Sequence, residues 1–322
     1  MLLFTVSVVF AASGASCPRR QANAPVLPAA FVGPPTLDEV IRQVNSNSAR
    51  IQTLRARGAA LTVPGLPSLR TELALQRPLH FRMRADTALI GTVLDLGSNE
   101  DMFWMWVSRA EPRAVYFCRH EQFYNSAARQ VLPVEPSWLI SALGVVEMDP
   151  LGRHSGPRSA GPGRLEVTSL IPTTQGELIR VLILHDLHGT ILEQHMYDAQ
   201  QKLLASAYAS QHRQEPILGV TLPHRVDLRI PSTNMSFAIN VDNYEVNGQS
   251  GNQQHLWQMP KPSGYPLVDL AAPGIHLSKS VMPLTKQFGN LTTPDHPTTP
   301  TSTPRSARGR PNGFRRSWWR QH

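Results

Sequence analysis

Residues 71–118 read TELALQRPLHFRMRADTALIGTVLDLGSNEDMFWMWVSRAEPRAVYFC. The stretch divides into five short apolar runs, TELALQ, HFRMRA, TVLDLG, MFWMWV and AVYFC, separated by turn signals such as Arg77-Pro78, Gly97-Ser98-Asn99 and Glu111-Pro112. No helix-length segment lies between them. Strands joined so tightly must pair antiparallel, because a parallel neighbour needs a crossover of a dozen or more residues. The stretch is therefore expected to form a meander. It is also unusually aromatic: Phe103, Trp104, Trp106, Tyr116 and Phe117 fall within fifteen residues of a chain that is 7% aromatic overall. In a strand alternate residues share a face, so Met102, Trp104 and Trp106 point one way and Phe103, Met105 and Val107 the other. Both faces are apolar, and such a strand must be covered twice. The stripe is either plain core or the lining of a ligand cavity.

Outward from the meander the pattern continues. On its N-terminal side Ile51 to Val63 reads as a long strand, closed by Pro64-Gly65-Leu66-Pro67. Before it, Thr36-Leu37-Asp38-Glu39 has the form of a capping box, with Thr36 as N-cap and Glu39 reaching back to it. Leu37, Val40, Ile41 and Val44 then recur at i, i+3, i+4 and i+7, which predicts a helix of roughly three turns that docks one apolar stripe on the sheet. A second helix is expected at Ser137 to Leu143 after Pro136, with Trp138, Leu139 and Ala142 as contacts between two sheet halves. Gly152 to Gly163 reads as an exposed loop. Strands follow at Leu165 to Leu170, Glu177 to Leu187, Thr190 to Ala199, Leu203 to Gln211, Arg225 to Ile230 and Met235 to Val246, joined by hairpin connections such as His188-Gly189. The sum is about eleven strands and two helices.

The 322 residues, 41% hydrophobic and 17% charged, suit one large β domain with unstructured ends. The formal charge of +8 is concentrated: residues 296–322 hold six arginines and no acid, leaving +2 for the rest. A nearly neutral fold and no recognisable reading module argue against specific nucleic-acid binding. The first sixteen residues, MLLFTVSVVFAASGAS, are apolar or small and stop at Cys17. They are too short to span a membrane and resemble a bacterial lipobox, with Gly14 where that motif has an aliphatic. Cys17 is then a candidate for lipidation, against an ordinary cleaved leader. From residue 248 onward Pro, Gly, Ser, Thr and Gln dominate, and 248–322 is expected to be mostly disordered. Within it Arg315-Arg316-Ser317-Trp318-Trp319-Arg320 is a solvated tail or suits an anionic lipid surface.

Candidate chemistry is thin. Two cysteines exclude a disulfide scaffold and a thiolate zinc site. Cys118 reads as a buried free thiol, a disulfide to Cys17 being open only if Cys17 carries no lipid. His185, His188 and His195 with Asp186 and Glu193 could suggest a metal site, yet alternation sends 185 and 188 to opposite faces and 188 falls in a turn. The 152–163 segment lacks the lysine and context of a phosphate loop. No Ser, His and acid set has a recognisable spacing, so no catalytic residue, metal or cofactor is assigned.

The leader ending at Cys17, the early amphipathic helix, and the phrases ARGAALTV (56–63), LALQRPLHFRMRA (73–85), LDLGSNEDMFWMWV (94–107), LEQHMYDAQQKLLASA (192–207) and LPHRVDLRIPSTNMSFAINVDNYEVN (222–247) resemble the bacterial lipoprotein carriers and receptors of the LolA/LolB-like superfamily. The resemblance covers roughly residues 36–247. It implies a mainly β (α+β) fold, an unclosed antiparallel half-barrel whose concave face is apolar and covered by helices. It implies a non-enzymatic, membrane-anchored lipoprotein facing the periplasm, with lipid acyl chains or lipoproteins as partners and the membrane surface reached through Cys17. The division expected is a lipoprotein-type signal peptide at 1–16, a linker at 17–35, the half-barrel at 36–247 and the tail at 248–322. Phe81, Met102, Trp104, Trp106 and Tyr116 are the expected cavity residues. An envelope sensor that uses the same fold to bind a protein partner is the alternative.

Overall fold

A computed structural model of the chain describes residues 27–108, 110–248 and 254–275. The expectations on the leader, on Cys17 and on the Arg-rich end fall outside these residues.

Helix α1 (Leu37–Ala49) begins where the capping box placed it. Thr36 Oγ1 accepts from the Glu39 amide at 3.3 Å, and the Thr36 amide donates to Glu39 Oε2 at 2.7 Å. The Thr36 amide and the Thr36 hydroxyl both donate to that carboxylate, favour its charged form and hold the Glu39 pKa below its ordinary value. Val40, Ile41 and Val44 are buried and pack with Phe31, Val146, Met148, Val167, Leu182 and Leu184. Two asparagines fix the helix in place by pairing like strand residues. Asn45 bonds both the N–H and the C=O of Met148, at 2.8 and 2.7 Å, and Asn47 does the same to Thr221, at 2.8 and 3.0 Å.

Among the described residues the sheet has fourteen strands and is curved and open. Its N-terminal meander is β1 (Thr53–Thr62), β2 (Leu69–Gln76), β3 (His80–Thr87), β4 (Gly91–Ser98), β5 (Met102–Val107) and β6 (Val115–Arg119). Its C-terminal meander is β7 (Arg153–Ser159), β8 (Arg164–Thr173), β9 (Gly176–His185), β10 (Ile191–Tyr197), β11 (Leu203–Gln214), β12 (Thr221–Ile230) and β13 (Met235–Val246). The meanders join where β1 pairs antiparallel with β13, Leu54 opposite Val246 through Thr62 opposite Ala238. A short β14 (Leu267–Asp269) adds to β6 in parallel at one edge, and β7 forms the other edge. Between β6 and β7 a lid crosses the concave face, made of a 3-10 turn (His120–Asn125), α2 (Ala128–Val131) and α3 (Ser137–Ala142). Trp138, Ile140, Ala142 and Leu143 of the lid join Leu73, Phe81, Met83, Leu228 and Ile239 in one core, so the lid ties both meanders together as expected of the second helix. Burying each such side chain contributes roughly 1.5–3 kcal/mol.

The mainly β half-barrel stands, with two strands that the sequence did not announce. Residues 153–159 are β7 rather than a loop, because an edge strand pairs on one side only and needs no apolar alternation to do so; its burial is almost all surface. The boundary at 247 also fell short. Residues 254–275 form a strap over the convex face, with a 3-10 turn (Gln254–Trp257), then β14. Trp257 is buried against His80, ring centroids 5.1 Å apart, and Tyr265 meets Trp106 edge-on at 5.5 Å.

Candidate functional site

Strand register decides which of the aromatic residues meet. Phe81 lies opposite Ser98, which lies opposite Phe103; Met83, Leu96, Met105 and Tyr116 form the next row across β3 to β6. These rows face the lid. There they border an apolar cavity of about 70 Å³, closed by Leu132 and Leu139 from the lid, Phe237 from β13 and Leu270 from the strap. The polar atoms at its wall are already used. Ser98 Oγ is 3.2 Å from His120 Nε2, and the Tyr116 hydroxyl donates to the Pro112 carbonyl at 3.1 Å. Burial pushes the Tyr116 phenol above its ordinary pKa, so it stays neutral.

Met102, Trp104 and Trp106 lie on the other face of β5, away from the lid. The structure thus separates the expected cavity set: Phe81 and Tyr116 share the concave face with Phe103 and Met105, while the two tryptophan rings are turned toward the strap. Trp104 lies over Gly97, where any Cβ would collide with its ring. Gly97 is therefore a seat for an indole within β4 rather than a turn residue. Trp104 and Gly97 still border the cavity through their place in the strands, whereas Trp106 and Met102 do not.

What covers the convex face here is a buried polar knot that sequence reasoning missed. Asp95 accepts from Arg82 Nε at 3.1 Å, from Arg82 Nη2 at 2.6 Å and from Trp104 Nε1 at 3.1 Å. Arg82 Nη1 donates to the carbonyls of Leu256 and Gln258 in the strap, at 2.8 and 3.1 Å, and the guanidinium sits 5.7 Å above the Trp104 ring. Only 4% of the Asp95 side chain and 12% of the Arg82 side chain are exposed. The signal available was an aspartate inside an otherwise apolar strand, TVLDLG, beside a strand carrying two arginines.

His185 and His188 do not point apart: β9 ends at His185, the chain turns, and the two rings lie 4.5 Å apart. His195 belongs to a different cluster, with Nδ1 3.0 Å from Ser206 Oγ and Nε2 3.0 Å from Glu193 Oε2, and Arg164 paired to Glu193. A hydroxyl, an imidazole and a carboxylate in line invite a nucleophile reading, but Ser206 is 1% exposed and sits inside the sheet, out of reach of a substrate. Among the described residues no three His, Cys, Asp or Glu side chains converge as metal ligands. Cys118 is a buried free thiol whose pKa burial raises, with Ser126 Oγ 3.4 Å away.

No family model matches the chain, and no curated protein matches it. Solved structures of similar architecture exist. One, described as an outer membrane lipoprotein-sorting protein domain from Vibrio parahaemolyticus, is 12% identical with a TM-score of 0.46, over 68% of this chain and 98% of that one. A DUF1329 family protein from Desulfovibrio piger is 11% identical with a TM-score of 0.44, over 68% of this chain and 99% of that one. A LolA superfamily protein from Nitrosomonas europaea is 7% identical with a TM-score of 0.41, over 68% of this chain and 97% of that one.

Proposed function

We propose that the chain is a non-enzymatic carrier that holds an acyl chain of a lipid or lipoprotein in the concave cavity, at the cell envelope, anchored through Cys17. The observation that carries this reading is the wall of that cavity. Phe81, Leu96, Phe103, Met105, Leu132 and Leu139 offer only hydrocarbon, thioether and ring surface, and the nearby hydroxyls are already bonded within the protein. A polar substrate would find nothing there to orient it. A hydrocarbon tail needs no such partner, since burial of apolar surface alone supplies its affinity.

The size of the cavity adds a condition. At about 70 Å³ it is well below the roughly 300–1,000 Å³ of ordinary ligand pockets, so the tail enters only when the lid lifts. The lid is the element suited to this, a run of short turns and helices placed across the sheet with no strand pairing to hold it.

Titration with a fluorescent fatty acid tests the reading. Wild type and Trp106→Phe bind, the latter because residue 106 lies outside the cavity; Met105→Glu, which puts a charge into the wall, loses binding at least tenfold while keeping its far-ultraviolet circular dichroism. If wild type takes up no apolar probe, the carrier reading fails.

A further inference from the structure

The convex face carries a second recess, independent of the acyl cavity. We propose that the groove between β1, β2 and β3, roofed by His255 and Leu256 of the strap, is a binding site for a phosphate ester. It measures about 370 Å³ and is lined by Arg55, Arg57, Arg82 and Arg84 together with Glu72 and Glu245.

Two of the four arginines are already committed. Arg82 is saturated by Asp95 and the strap carbonyls. Arg57 is held by Glu245 Oε2, at 3.0 Å from Nε and 2.6 Å from Nη2. Arg55 and Arg84 remain. Among the described residues the Arg55 guanidinium has no hydrogen bond or ion pair, although Glu245 stands directly opposite it in the ladder and uses its carboxylate on Arg57 instead. Arg84 gives Nη2 to Thr92 Oγ1 at 2.8 Å, but its Nε is buried without an acceptor. The carboxylate nearest to that Nε, Asp95 Oδ2, is 4.0 Å away, too far for a hydrogen bond, and already serves Arg82 and Trp104. Glu72, opposite Arg84 in register, forms no ion pair with it.

Two guanidiniums thus border one groove with donors to spare, one of those donors desolvated and unmet. A buried donor without an acceptor is a cost that the folded chain does not offset by itself. Arginine forks match the tetrahedral oxygens of phosphate, which accept from two sides at once. Glu72, uncommitted at the same groove, repels a bare anion and accepts a hydrogen bond, so it favours a phosphate that carries a hydroxyl or amine over inorganic phosphate. The shared chemistry is a phosphate ester with a hydrogen-bond donor beside it; it could be free in solution or the headgroup of a lipid.

Calorimetric titration of the full chain with inorganic phosphate and with glycerol 3-phosphate, and co-sedimentation with phosphatidylglycerol vesicles against phosphatidylcholine vesicles, separate these sources. Glycerol 3-phosphate is expected to bind more tightly than inorganic phosphate. Binding to phosphatidylglycerol vesicles without binding to glycerol 3-phosphate assigns the site to a membrane headgroup; the converse assigns it to a soluble ester. Arg55→Gln should weaken whichever is bound by about tenfold or more, and Arg55→Lys by less. Because the Arg55 guanidinium has no hydrogen bond or ion pair among the described residues, neither change should disturb folding or fatty-acid uptake. Absence of binding to all three probes, or Arg55→Gln binding as wild type does, overturns the proposal, and neither result touches the acyl cavity.

Discussion

The two meanders are built from similar strands and covered differently. In β5 of the N-terminal meander, MFWMWV, both faces are apolar, and both are covered: the lid takes Phe103 and Met105, the strap takes Trp104 and Trp106. In the C-terminal meander the described residues cover only the concave face. Gln194 and Met196 of β10 point inward, while Glu193 and His195 share the convex face with Glu166, Tyr208, Arg225 and Asp227. There the charges pair with one another, Arg158 with Glu166 across β7 and β8, Arg164 of β8 with Glu193 of β10, and Arg225 with Asp227 along β12. The difference teaches that an apolar stripe on the outer face of a sheet forecasts a covering segment, even when that segment has no recognisable pattern of its own.

The strongest way to break this contrast is to remove the anchor of the strap. Asp95→Ala leaves Arg82 charged, buried and without its carboxylate, and leaves Trp104 Nε1 without an acceptor. Loss of one partner from a buried pair costs about 3–5 kcal/mol. Urea denaturation should show a loss of unfolding free energy of that size, and the strap should become sensitive to chymotryptic cleavage after Trp257. A shift below about 1 kcal/mol would mean that the strap and its knot are a surface decoration.

Much of this was legible. The capping box fixed the start of α1, and the alternation of β2, with Leu69, Thr71, Leu73 and Leu75 buried, gave its inward face directly. Parity correctly grouped Met102, Trp104 and Trp106 apart from Phe103, Met105 and Val107, but when both groups are apolar parity cannot say which is concave. That depends on register with β3 and β4, and Gly97, read as a turn glycine, was the residue that marked the tryptophan face. The strap was hidden because irregular Pro- and Gly-rich chain has no period; Trp257 and Tyr265 were its only traces. β7 was hidden because a solvated edge needs no apolar signature.

A smaller effect comes from a titratable group at the boundary between α1 and the C-terminal meander. His212 borders a small polar pocket with Gln43 and Asn47 of α1, and Nε2 lies 2.9 Å from the Ile191 carbonyl. Desolvation lowers its pKa to about 4, against an ordinary 6.5, with the charges of His185 and His224 adding in the same direction. The folded pKa is the lower one, so the unfolded chain binds more protons between about pH 6.5 and 4. Stability from this residue is then complete above about pH 6.5 and falls as pH drops toward 4. After allowance for its partial exposure the loss is on the order of 1–2 kcal/mol. His212→Gln, which keeps a donor for Ile191, should flatten that part of the stability–pH curve. An unchanged slope would show that His212 is protonated alike in both states.

The smallest effect is expected on the open convex face, and it tests the contrast from the other side. Arg158 and Glu166 are paired across β7 and β8, with 72% of the arginine side chain exposed, so water screens the attraction and the long side chain gives up rotamer freedom to hold it. Arg158→Gln should change stability by less than about 0.5 kcal/mol, and raising the salt concentration should do no more. The charged ladders of the C-terminal meander would then be what keeps an uncovered face soluble rather than what holds the fold, as the knot at Asp95 does under the strap. A loss approaching that of Asp95→Ala would instead mean that the convex face of β8 is covered in the full chain, by a segment or partner beyond the residues described.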